Sequence, residues 1–179
     1  MPRLVIGTVA LLLALAACGG DPKADPSPTP STPVSTAPSP TASAPVMPAE
    51  ASANTKAGAI AFVRYYVELI NHLQHYGDDV ALRQVSLPTC RSCNSVVRAA
   101  KAIYDNGGHV EGGEWRITDI GASQPTATLW EVAIKGRLAA SKVVDGPTSV
   151  PTAGSGGLAN ARFFLIFDQN WKVAQWHTG

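Results

Sequence analysis

The sequence predicts an α+β domain in which N-terminal helices pack on a curved antiparallel sheet. Three observations predict it. Apolar side chains recur at helical spacing from Ile60 to Tyr76, strict alternation takes over from Trp115 onward, and all twelve aromatic residues lie at or beyond Phe62. Residues 55–179 are enough chain for one hydrophobic core and too little for two.

The first helix carries the clearest pattern. Phe62, Tyr66, Leu69, Leu73 and Tyr76 follow one another at intervals of four, three, four and three, which sets them on one face. Ile60, Val63, Val67 and Ile70 widen that face, and a stripe so broad calls for cover on two sides. Thr55 or Asn54 can cap the start, and Gly77 ends it. His72 and His75 fall with Arg64, Tyr65 and Glu68 on what reads as the solvated face. Asp78 can cap a short second helix through Val80, Leu82 and Val85, which Pro88 breaks. A third helix is expected from Cys93 to Asp105, with Val97, Ala100 and Tyr104 on one face and Asn106-Gly107-Gly108 as its stop.

About four antiparallel strands are expected next. Trp115–Ile120 and Thr128–Arg137 alternate, Arg162–Phe167 is aromatic and β-branched, and Trp171–His177 alternates again after Asp168-Gln169-Asn170. Asp145 to Gly157, rich in Gly, Pro, Ser and Thr, reads as a mobile loop.

The segment before the domain reads as an address. Arg3 precedes the fourteen apolar or small residues Leu4–Ala17, and a helix of that length rises about 21 Å against a hydrocarbon core of about 30 Å. Residues 1–17 are therefore expected to be an export signal rather than a membrane span. The run ends in Leu15-Ala16-Ala17-Cys18, which resembles the lipobox of bacterial lipoproteins. That resemblance implies cleavage before Cys18, a diacylglyceryl group on its thiol and a membrane tether on the extracytoplasmic face, since two acyl chains hold where one does not. Residues 18–54 hold nine of the fourteen prolines and no aromatic residue, and are expected to be a disordered stalk. Its Thr29, Thr32 and Thr41 lie beside prolines as in O-glycosylated stalks, but an unmodified spacer is the favoured reading.

The Ala61–Asn71 string AFVRYYVELIN, the Pro88–Cys93 segment and the paired glycines Gly107-Gly108 and Gly112-Gly113 before Glu114-Trp115 resemble an uncharacterised domain family of actinobacterial lipoproteins. The resemblance covers most of residues 48–178 and implies a shared address and fold without an activity. The helix-then-sheet order is also similar to the cone-shaped nuclear-transport-factor-2-like fold.

Charge bears on function class. Residues 55–179 carry twelve Lys/Arg against ten Asp/Glu, a balance that argues against a nucleic-acid partner. Cys90 and Cys93 are expected to be bridged in an oxidising exterior, a pinning role at the entry of the third helix. The competing reading is thiol–disulfide exchange near a helix N-terminus. With His72 and His75 the two thiols also make a set of zinc-ligand number, which oxidation forbids, so no metal is assigned. Asp119 and His177 are the pair to weigh for acid–base chemistry, and Trp130 joins them as a possible pocket residue. No nucleophile elbow, phosphate loop or metalloprotease motif occurs, and nothing calls for a cofactor. The leading expectation is a non-enzymatic module that binds a small apolar ligand or an envelope protein.

Overall fold

The structure, a computed structural model, describes residues 43–179. The signal segment 1–17, Cys18 and the stalk through residue 42 lie outside the described residues. A 3₁₀ turn at Ala49–Ser52 leads into α1 (Lys56–Tyr76), α2 (Val80–Gln84) and α3 (Arg91–Tyr104). Seven strands follow: β1 (His109–Gly112), β2 (Trp115–Thr126), β3 (Leu129–Leu138), β4 (Ser141–Val144), β5 (Thr152–Gly154), β6 (Gly157–Asp168) and β7 (Asn170–Thr178). They form an antiparallel four-stranded sheet in the order β2-β3-β6-β7 and a smaller antiparallel sheet in the order β1-β4-β5. The predicted α+β class and the succession of helices then antiparallel strands are observed.

Thr55 caps α1, its hydroxyl accepting from the Gly58 N–H at 3.0 Å. Asn54, the other candidate, is used elsewhere. Residues 49–54, given to the stalk on composition, pack on the domain instead: Ala51 is buried, and Gly58 leaves no room for a Cβ beside the Ala53 carbonyl. At the far end Gly77 adopts φ 69° and returns its N–H to the Leu73 carbonyl at 2.8 Å.

The core lies between α1 and one face of the four-stranded sheet. Phe62 stacks on Trp171 at a centroid distance of 6.0 Å, and Tyr66 meets Phe163 edge-on at 5.8 Å. Val132, Ile134 and Leu165 complete the sheet side. Three members of the helical pattern depart from expectation. Tyr76, placed on the core stripe, is 42% exposed, whereas His72, placed in solvent, is buried. The turn at Gly77 brings Asp78 back under the helix, where its carboxylate meets His72 Nε2 at 3.2 Å. A bond to a returning segment thus overrides the helical stripe. Tyr65, from the same expected solvated face, is buried as well.

The segment expected to be a mobile loop contains β5, which pairs with β4 through Ser141–Gly154, Lys142–Ala153 and Val143–Thr152. Strands of three or four residues are too short to show a period. Helix α3 starts at Arg91, two residues before the expected start, because Cys90 is its N-cap.

Candidate functional site

The strand pairing settles the two faces of the main sheet. Trp130, Val132 and Ile134 of β3 are buried toward α1, so Glu131, Ala133 and Lys135 point away from it. Asp119 pairs with Lys135, and His177 pairs with Arg162, which places both candidates on this outer face. They border the same open hollow of about 520 Å³, floored by Gly121 and Ala133. They stand on β2 and β7, the two edges of the sheet, three strand intervals or ~14 Å apart. Proton relay needs contact within about 3.2 Å or through one water. Asp119 instead faces Lys135 at 3.8 Å, and His177 lies against the Phe164 ring at 5.7 Å.

Trp130 does not share this hollow. It is buried on the opposite face, its ring edge-on to Trp171 at 5.9 Å and its Nε1–H donated to Asn54 Oδ1 at 3.0 Å. The proposed grouping of Asp119, Trp130 and His177 is therefore split between two faces, because Trp130 is out of phase with Lys135 on the same strand.

Cys90 and Cys93 form a disulfide. The Cys93 N–H donates to Cys90 Sγ at 3.2 Å, and both residues are buried, at 0% and 2% exposure. Exchange requires a thiolate to reach a sulfur, and this burial withholds that access. The bridge instead secures the start of α3, from which Ser92 Oγ accepts the Trp176 N–H at 3.0 Å and ties the helix to β7. The histidines are not brought to the sulfurs. His75 faces Glu114 at 3.0 Å, His72 faces Asp78, and the described residues hold no group of three or more metal-ligating side chains.

A second hollow, about 250 Å³, opens between α1, α3 and both sheets. Ile70 and Leu73 of α1 and Val96, Ala100 and Ile103 of α3 face Val110, Trp115, Leu138, Val143 and Trp176 from five strands. Among the described residues, Gln74 is the one polar side chain lining it apart from the indoles, and no Asp, Glu, Lys, Arg or His does so. Three polar ties hold the walls. The Asn71 amide accepts the Trp115 N–H at 2.9 Å and donates to the Trp115 carbonyl at 3.1 Å, pinning the start of β2 to α1. The Tyr104 hydroxyl donates to the Gln74 carbonyl at 2.7 Å, closing the end of α3 on α1, and burial pushes that phenol's pKa up. Ser92 supplies the third. Trp176 brings a buried indole N–H with no acceptor among the described residues.

Sequence reasoning missed most of this groove. Of its lining residues, Val96 and Ile103 of α3 carry the pattern that marks this wall. Their spacing with Ala100, at intervals of four and three, was the available signal.

Elsewhere, perturbed groups serve structure. Burial pushes the Tyr66 phenol up to about 12 despite its 2.9 Å bond to Ser86. The Val80 N–H, with a smaller contribution from His72, holds the Asp78 carboxyl below the usual carboxylate range.

Among solved structures, the chain is similar to the intermembrane-space region of the chloroplast protein ARC6, with TM-score 0.50, 10% identity, and 70% of this chain and 97% of that one covered. It is also similar to a Catenulispora acidiphila protein in complex with S-DNPA, with TM-score 0.47, 13% identity and coverage of 69% and 93%. An "NTF-2 like" protein of unknown function from Shewanella oneidensis MR-1 follows at TM-score 0.37, 11% identity and coverage of 65% and 94%. Identities this low speak of fold alone. No curated protein matches the chain. A family model does match, over residues 34–178, and by that match the chain belongs to the family of unknown function DUF6318.

Proposed function

We propose that this chain is a non-enzymatic binding module, tethered outside the cytoplasm through a lipid on Cys18, that holds a small apolar ligand in the groove between α1 and α3. One observation carries the reading: among the described residues, the groove is lined by apolar walls, a single amide and no titratable side chain. Such a lining can desolvate and orient a ligand but has no group to move a proton. Its volume, about 250 Å³, lies just under the ~300–1,000 Å³ usual for ligand pockets, which points to a small guest. The anchor reading rests on the Leu15–Cys18 box and its preceding apolar run. Acid–base chemistry by Asp119 and His177 is the weaker alternative, because the two side chains stand on opposite edges of an open sheet face.

Titration of the mature protein with the neutral dye N-phenylnaphthylamine tests the groove. Ala100→Phe, which fills it, is expected to weaken saturable binding by about tenfold or more, whereas Ala133→Phe on the outer face leaves binding unchanged. Equal binding by the wild type and the filled variant would sink the reading. For the anchor, Cys18→Ala is expected to move the protein from the membrane fraction to the soluble one. A variant still processed and membrane-bound would remove the lipid from the account.

A further inference from the structure

The outer face of the four-stranded sheet carries a pair of cations that the groove does not use. Arg116 of β2 and Arg137 of β3 are direct cross-strand partners, and both are exposed. Directly opposed residues share a face and hold their Cβ atoms about 4.5–5.5 Å apart, so two like charges set there repel. Neighbouring cations on this face are matched: Lys135 meets Asp119 at 3.8 Å and Arg162 meets Glu131 at 3.1 Å. Neither Arg116 nor Arg137 reaches a carboxylate or any other side-chain partner among the described residues. The next residue across from Arg137, Leu158 of β6, is 82% exposed.

We propose that Arg116 and Arg137 form a two-guanidinium clamp for an oxyanion of the phosphate class. Two planar donor forks side by side match the acceptor geometry of a tetrahedral oxyanion, which turns a repulsive pair into two charge-assisted contacts. The same chemistry is presented by an anionic lipid headgroup and by a soluble phosphate, and the uncovered Leu158 beside the clamp would meet the acyl boundary in the first case. The clamp stands apart from the groove, so either can fail without the other.

The full mature chain carrying Cys18→Ala, so that no lipid tether intervenes, is compared with its Arg116→Gln, Arg137→Gln and double variants, with Arg98→Gln on α3 as a control. Inorganic phosphate is followed by thermal melting. Vesicles of phosphatidylcholine, with and without phosphatidylglycerol, are followed by flotation. Without anions, either single clamp variant is expected to melt higher than its parent, because the repulsion is relieved. With anions, each is expected to lose about tenfold in apparent affinity, and Arg98→Gln none. A response to phosphate itself assigns a soluble oxyanion, and a response confined to phosphatidylglycerol vesicles assigns a headgroup. The proposal is overturned if neither anion separates the parent from the double variant, or if Arg98→Gln loses as much.

Discussion

The four-stranded sheet presents two surfaces made from alternate residues of the same strands, and they are built on different physics. Toward α1, Val132, Phe163, Leu165 and Val173 are fully buried and interlock with Phe62 and Tyr66. Away from it, Lys135 pairs with Asp119 at 3.8 Å and Arg162 with the half-buried Glu131 at 3.1 Å, while His177 stands exposed beside them. On the first surface free energy comes from shape and area removed from water, and on the second from screened charges worth little apiece. Stability therefore belongs to the inner surface, while the outer one is free to be patterned for contact. The Arg116–Arg137 opposition is affordable only there.

Three measurements break or sharpen this contrast. The largest effect is expected for Phe163→Ala, which removes a ring packed between Tyr66 and Trp176 and should cost about 3–5 kcal/mol in urea unfolding. Next is Tyr66→Phe. Ser86 Oγ donates to the Leu82 carbonyl at 2.8 Å, so it accepts from the Tyr66 hydroxyl, and losing that bond should cost about 1 kcal/mol at neutral pH. The same variant carries a pH signature. The phenol's value rises from 10.0 to about 12 on folding, so the unfolded chain ionises first. The stability this holds is complete below pH 10 and lost as pH climbs toward 12, and Tyr66→Phe should flatten that alkaline decline. The smallest effect is expected for Glu131→Gln, which breaks an exposed pair with Arg162 and should cost below about 1 kcal/mol. A Glu131→Gln loss equal to that of Phe163→Ala would erase the distinction between the surfaces.

Residue patterns made the elements legible more readily than the site. The stripe from Phe62 to Leu73 named the buried face of α1, alternation found β2, β3 and β7, and an aromatic, β-branched run found β6. His72 escaped because its burial depends on Asp78 folding back after Gly77, a contact no helical period records. Alternation showed that Trp130 and Lys135 of β3 must face opposite ways, but not which way faces in, so Trp130 was grouped with Asp119 and His177. The groove was least visible. Val110, Leu138 and Val143 enter it singly from three strands, and none belongs to a local pattern that marks a wall.

Read alone, the chain determined its fold class, the order of its helices and main-sheet strands, the expectation of a Cys90–Cys93 bridge and the existence of two chemically unlike strand faces. These follow from properties of consecutive residues: periodicity, turn chemistry and thiols three positions apart. Tertiary structure alone decided which strand face turns inward, that α1, α3 and both sheets leave an apolar hollow, and that Arg116 stands opposite Arg137. Those outcomes depend on register and on packing between residues far apart in the chain, where burial of the aromatic core selects one arrangement from several that local patterns allow equally.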